Sequence, residues 1–338
     1  MILVTGATGL LGTHITLELL QRGETVRCMK RAGSDVSLVE RLFHFLDPEQ
    51  GTKFFSKISW VDGDALDLIS LIEVMTGCDS VVHTAAVVSY HKRDRAMMYK
   101  INVEGTANVL NTALELRVRK VCHISSIAAL GRKENKQYVT EKEPWEDADV
   151  HTHYGITKHL SEMEVMRAVQ EGLNVVILNP GFVVGAGRAN RSSGQLITVL
   201  DRGLPFYSSG GTGVVAARDV AWCVAELLKH ELPGERFTCI AENLSFKQIF
   251  EMMCSSLGRN APKKIAPDWI LNLAIAGSWM LEKLTGRRAS ITKESVKNTE
   301  LTFSYSNEKI KTEIGVQFTP VQSAIDEAVK FFRLNSPA

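Results

Sequence analysis

The sequence predicts an α/β architecture: a doubly wound parallel sheet in residues 1–180, then a smaller, mostly helical C-terminal lobe in residues 181–338. Three observations predict it. Short β-branched runs alternate with amphipathic stretches of helical length from Ile2 to Leu178, the rhythm of parallel strands joined by crossover helices. Runs such as Val175-Val176-Ile177-Leu178 are apolar at every position, which is how a strand reads when both its faces are covered. After Pro180 the pattern changes. Glycine, serine and arginine become frequent from Gly185 to Gly213, and helical stretches then dominate.

Ile2-Leu3-Val4-Thr5 reads as the first strand, and Leu10 to Arg22 as a helix stopped by Gly23. Thr25 to Met29 is the second strand, Ser37 to Leu46 a helix, and Ile58-Ser59-Trp60-Val61 the third strand. Leu68 to Met75 is a short helix ended by Gly77, and Ser80-Val81-Val82-His83 follows as a strand. Arg95 to Leu116 is a long helix, and Val121-Cys122-His123-Ile124 the fifth strand. The polar stretch Lys133 to Glu143 connects it to a helix over His151 to Glu171. Asn174 to Leu178 is the sixth strand, closed by Asn179-Pro180-Gly181, and further strands from beyond residue 180 are left open. In the second lobe Asp219 to Lys229, Phe246 to Leu257 and Trp269 to Leu284 are helical, the last read as core or pocket lid. A ligand is expected where the lobes meet, at the carboxyl ends of the strands.

The 45% hydrophobic content is ample for a core, and a net charge of +1 without a basic run of five or more excludes a nucleic-acid surface. Six cysteines are scattered with no C-x-x-C spacing, the pattern of free buried thiols in a reducing compartment. The first strand begins at Ile2, which leaves no room for a signal peptide. The longest apolar run, Ile270 to Leu281, is interrupted by Asn272 and is too short to span a bilayer. The expected compartment is the cytoplasm, with no membrane span.

Gly6, Gly9 and Gly12, with Thr8, Leu10 and Leu11 between them, follow one strand and open one helix. In that position glycines let the main chain approach a pyrophosphate, and the helix N-terminus adds donors and partial positive charge. Where NAD-selective sites carry an acid after the second strand, this chain has Lys30-Arg31. Both attract a 2′-phosphate, so NADP(H) is favoured and NAD(H) left open; plain surface charge is the other reading of the pair. Asp64, followed by Ala65, is read either as an acceptor for an adenine amino group or as a helix N-cap.

Tyr154 and Lys158 lie four residues apart on one helix face. A neighbouring ammonium lowers a phenol's pKa toward the range that general acid–base work requires. Together with the glycine loop, the pair points to hydride chemistry on a nicotinamide. His151 and His153 diverge on a helix and have no third ligand near, so no metal site is expected.

These features resemble the extended short-chain dehydrogenase/reductase family, which is NAD-dependent epimerase/dehydratase-like. The resemblance rests on the glycine motif, His83-Thr84-Ala85-Ala86, Asn102-Val103-Glu104-Gly105-Thr106, Ser125-Ser126, Tyr154-x-x-x-Lys158 and Asn179-Pro180-Gly181-Phe182-Val183-Val184-Gly185. It runs from residue 2 to about residue 190 in the expected order. It implies a Rossmann sheet, with Tyr154 as proton donor/acceptor and Lys158 lowering its pKa and holding the nicotinamide ribose. Ser126 would bond the reacting oxygen, with Ser125 as substitute. Thr84, Ala85 and Ala86 would line the cofactor, Pro180 and Val183 would border the carboxamide, and Asn102 would hold active-site backbone. A homodimer paired through the helices after the fourth strand and around Tyr154 is also implied.

The second half looks nearest the dihydroflavonol reductase, cinnamoyl-CoA reductase and 3-beta-hydroxysteroid dehydrogenase branch. Its Arg218-Asp219 leads straight into a helix, without the aromatic that sugar-nucleotide enzymes place there. The expectation is an NADP(H)-dependent reductase/dehydrogenase of a carbonyl or secondary alcohol on a moderately apolar small molecule. A sugar-nucleotide epimerase/dehydratase and a non-catalytic dinucleotide-sensing binding protein are the alternatives.

Overall fold

The computed structural model describes residues 1–132, 138–146, 151–285 and 292–335. Its strands, in chain order, are β1 (Ile2–Thr5), β2 (Val26–Lys30), β3 (Ser59–Asp62), β4 (Ser80–His83), β5 (Lys120–Ile124), β6 (Tyr138–Val139), β7 (Val175–Pro180), β8 (Phe182–Val184), β9 (Phe206–Tyr207), β10 (Gly211–Ala216), β11 (Arg236–Cys239), β12 (Glu242–Ser245), β13 (Lys264–Ile265) and β14 (Ser304–Tyr305). Seven of them form one sheet in the order β11-β7-β5-β4-β1-β2-β3, every neighbouring pair parallel. The winding direction reverses between β1 and β4, and that reversal opens the crevice in which doubly wound sheets bind ligands.

Period-two alternation explains why these strands read as solidly apolar. Val4, Val82, Cys122, Val176 and Leu178 pack on one face, with helices Leu10–Gln21 and Ala217–Leu227. Their neighbours Leu3, Val81, Val121, Val175 and Ile177 pack on the other, with Leu68–Met75, Gly105–Glu115 and His153–Gln170. The long helix expected after β4 carries a wider, π-helical turn at Lys100–Glu104, which holds Asn102 buried.

Beyond Pro180 the chain leaves the sheet and later returns. Helix Ala217–Leu227 packs beside the first helix, and β11 pairs in parallel with β7. The smaller lobe surrounds an apolar cluster formed by helices Ser192–Asp201, Phe246–Leu257 and Val321–Asn335. It also holds a small sheet of order β12-β10-β8, which its glycines disguised in the sequence. Of the polar connection over Lys133 to Glu143, residues 133–137 lie outside the described residues, and β6 pairs with β14. The apolar helix expected as core or lid spans Asp268–Thr285 and is not core: among its described side chains only Glu282 is buried. All six cysteines are free and buried. Among the described residues no helix is long and apolar enough to cross a membrane.

Candidate active site

The site is assembled at the carboxyl ends of β1, β4, β5 and β7. Gly6 ends β1 with φ +66°, and a Cβ there would stand 2.8 Å from the Ala85 backbone nitrogen. Gly12 packs the helix start onto the same loop: its Cβ would lie 2.2 Å from the Gly6 carbonyl oxygen. The Gly9 N–H donates to the Gly6 carbonyl at 2.9 Å. No side chain caps the helix at Gly9, so its first-turn N–H groups stay available to an anion. Thr8, Leu10 and Leu11 are partly exposed around this cradle. Side-chain-free backbone, close approach and uncapped donors are what a bound pyrophosphate requires, so the residues present fit a dinucleotide.

Beneath the cradle runs a continuous hydrogen-bonded line. The Thr5 hydroxyl lies 2.8 Å from His83 Nδ1, and His83 Nε2 lies 3.0 Å from the Thr106 hydroxyl. Thr106 donates onward to the Asn102 carbonyl at 2.7 Å, so its oxygen must accept from Nε2–H, and Nδ1 must accept from Thr5. Burial, reinforced by the Lys158 charge, pushes His83 down to about 3. The ring is therefore neutral and fixed in one tautomer. The Asn102 side chain clamps the backbone of Val87 from both sides, accepting from its N–H at 2.8 Å and donating to its carbonyl at 2.9 Å. It also donates to Thr157, which donates to the Tyr154 carbonyl. One line thus ties the glycine loop, the Thr84-Ala85-Ala86 turn and the tyrosine helix. Thr84 donates to the Thr5 carbonyl at 2.7 Å, while Ala86 is exposed.

Helix His153–Gln170 starts at Thr152, whose hydroxyl accepts from the Gly155 N–H at 3.0 Å. Gly155 permits the helix to rest on the turn after β5, since a Cβ would stand 2.6 Å from the Ala128 carbonyl oxygen. That close contact brings Tyr154 near Ser126, whose hydroxyl acts on the phenol. Lys158 is buried, and its Nζ donates to the Ile124 carbonyl at 2.7 Å. Burial pushes Lys158 down to about 8, against the pull of Glu162. Tyr154 differs from the sequence expectation. Burial raises its pKa well above the usual phenol range, the Ser126 hydrogen bond opposes that, and nearby Tyr90 adds to it. The Lys158 ammonium is meanwhile turned to the Ile124 main-chain carbonyl at the end of β5.

Sequence reasoning missed Glu162, one helical turn past Lys158. It is fully buried, accepts from Ser125 Oγ and from Asn179 Nδ2, and lies 3.4 Å from an Arg236 nitrogen. Asn179 also donates to the Ser126 carbonyl at 2.9 Å. Ser125 is therefore bound to structure, whereas Ser126 faces Tyr154. The sequence signal was an acid at i+4 from a lysine, which on its own reads as a surface pair. Another missed residue is His14, buried on the first helix, whose Nε2 lies 3.1 Å from the Ala186 carbonyl and holds the loop after β8. Pro180 is buried at the end of β7, and Val183 is partly exposed on β8.

At the far end of the crevice, Lys30 pairs with Asp62 across β2 and β3, and Arg31 is exposed. Asp64 is not a helix cap. Its carboxylate accepts from the Leu66 N–H at 2.9 Å, and Asp67 caps helix Leu68–Met75 instead. Ala65 is buried beneath Gly105, its carbonyl held by Asn108. His151 stacks on Trp145 with ring centroids 3.5 Å apart, and the His153 N–H donates to Glu294.

Comparison with known proteins agrees with this geometry. The model of the NAD dependent epimerase/dehydratase family matches residues 2–237. A putative dihydroflavonol 4-reductase of Synechocystis sp. is 30% identical, the match covering 98% of this chain and 94% of that protein. The crystal structure of gox2253 is 29% identical with a TM-score of 0.81, covering 99% and 98% of the two chains. The dTDP-glucose 4,6-dehydratase DesIV of Streptomyces venezuelae, solved with NAD bound, shares the fold at 21% identity and a TM-score of 0.76, covering 99% and 97%. The chain belongs to the NAD-dependent epimerase/dehydratase family, within the extended short-chain dehydrogenases/reductases.

Proposed function

We propose that the protein is an NADP(H)-dependent reductase/dehydrogenase of a carbonyl or secondary alcohol on a moderately apolar small molecule. The observation that carries this reading is the convergence of Ser126 and Tyr154 at the end of β5, with buried Lys158 one helical turn behind. The nicotinamide, when bound, supplies the hydride. The chain supplies position and the proton. Tyr154, its pKa raised by burial, is protonated at neutral pH, so it is set to give its proton to a carbonyl oxygen in the direction of reduction. Ser126 orients that oxygen, and Lys158 anchors the ribose side of the site.

Two placements support the finer choices. Arg31 is exposed at the end of β2, where a 2′-phosphate would be met. Arg218 and Asp219, the pair a sugar-nucleotide site would use, are committed elsewhere. Arg218 pairs with Glu327, and Asp219 accepts from the Thr319 N–H and hydroxyl.

The test is a titration of NADPH against NADH, followed by a panel of aldehydes, ketones and secondary alcohols with the productive cofactor. Tyr154→Phe should keep the cofactor Kd within about threefold and lower kcat by about 10²–10⁴. Undiminished turnover by that variant on a confirmed substrate would reject the assignment.

A further inference from the structure

Helix Asp268–Thr285 is built inside out. Its one buried side chain among those described is an acid: Glu282 lies 2.9 Å from His91 Nε2 and 2.7 Å from an Arg93 nitrogen. Several of its large apolar side chains face away from the protein. Trp269, Leu273, Met280 and Leu284 are 67%, 67%, 58% and 78% exposed. Their spacings of four, seven and four residues place them on one stripe. Gly277 continues that stripe, and a Cβ there would meet nothing within 4 Å. Trp279 flanks it, 54% exposed, with the Lys283 ammonium 4.2 Å from its ring centre. An apolar stripe of this length on one helix marks a contact surface.

Charge chooses the partner. The sequence from Lys263 to Lys283 holds three lysines and two acids, Asp268 and Glu282, and Glu282 is turned inward against His91 and Arg93. Lys263 and Lys264 are exposed just before the helix, and Lys283 is exposed near its end. A second copy seated on this stripe would set two segments of net positive charge against each other. An anionic lipid surface pairs with the lysines while the tryptophans and leucines enter the headgroup boundary. Among the described residues no helix is long and apolar enough to cross the bilayer, so the orientation is in its plane.

We propose that helix Asp268–Thr285 docks the protein on anionic bilayer surfaces through the stripe Trp269, Leu273, Met280 and Leu284. On its inward side the helix is tied through Glu282 to the loop that carries Tyr90, His91 and Arg93.

The full chain is sedimented with vesicles of equal parts phosphatidylglycerol and phosphatidylcholine, and with vesicles of phosphatidylcholine alone. The expected result is binding to the anionic vesicles, weakened by salt and by omission of phosphatidylglycerol. The double variant Leu273→Glu/Met280→Glu, and separately Trp269→Ser/Leu284→Ser, should bind at least about tenfold more weakly. Their thermal melts should match the parent, because the altered side chains are exposed. Three results would overturn the proposal: parent protein left in the supernatant, variants that bind as well as the parent, or a parent dimer in solution that these substitutions convert to monomer. No outcome depends on turnover, so failure here is separate from failure of the reductase assignment.

Discussion

Gly12→Ala strikes the cradle at its tightest point. The added Cβ would stand 2.2 Å from the Gly6 carbonyl oxygen and 2.7 Å from Ala7 Cα. Real Cβ contacts stay beyond 3.0 Å, so loop and helix must part by about 0.8 Å. Both neighbours are backbone, and no rotamer change relieves the clash. Overpacking of this kind costs about 1–3 kcal/mol, and alanine returns about 1 kcal/mol of helix propensity. Stability should therefore fall by roughly 0–2 kcal/mol, a shift of at most a few degrees in Tm. Cofactor affinity should suffer more. A displacement of that size breaks hydrogen bonds to a charged ligand, each worth about 1.5–3 kcal/mol. Losing two of them weakens binding at least about 100-fold. Calorimetric titration with NADPH, beside thermal melts, measures both effects. Gly23→Ala is the control: φ there is +85° with nothing within 4 Å, so it strains the backbone by about 1–2 kcal/mol without touching the cradle. If Gly12→Ala bound NADPH within threefold of the parent, the assignment of this loop to the cofactor would be wrong.

Lys158 falls by burial to about 8 from 10.5, so between those values the unfolded chain holds a proton that the folded chain lacks. The cost of the buried ammonium is complete below pH 8 and is relieved as pH rises toward 10.5. Melts of the parent and Lys158→Met from pH 7 to 10.5 should show the parent gaining on the variant by up to about 3 kcal/mol; a constant gap would refute the shift. Glu162→Gln leaves Arg236 without its buried carboxylate and should cost about 3 kcal/mol in denaturant unfolding, whereas an unchanged midpoint would deny Glu162 its structural part. Because Lys30 is already paired with Asp62, Arg31→Ala should weaken NADPH by about tenfold or more and Lys30→Ala by less, NADH being indifferent to both. Equal losses for the two cofactors would place the 2′-phosphate elsewhere.

Most of the sheet was legible because its signals are local. Val175-Val176-Ile177-Leu178 needs no distant partner to read as a doubly covered strand, and the glycine spacing announces itself beside β1. Arg236–Cys239 was not legible: RFTC is short and mixed, and its place is fixed by register against Ile177–Pro180. The same limit governs the site. Tyr154 and Lys158 share a helix face by spacing alone, but the choice of Ser126 over Ser125 depends on Glu162 claiming the Ser125 hydroxyl. The N-cap reading of Asp64 fails because Asp67 also precedes that helix, and only the structure shows Asp67 on its N–H groups. Trp269 to Leu284 misled in the opposite way. Apolar content suggests burial, whereas the side chain that the fold turns inward is Glu282, against His91 and Arg93.

The line from Thr5 through His83 to Asn102 has a direction. Each hydroxyl owns one hydrogen, and each is already spent: Thr5 on the imidazole, Thr106 on a carbonyl. With the ring uncharged and its single N–H facing Thr106, the donors run head to tail and end on the Asn102 main-chain carbonyl, which holds no proton near neutral pH. The line behaves as a strut rather than a wire. Altering any one member strands the atoms on either side of it, so a change under β1 is felt at the tyrosine helix and paired substitutions should not add.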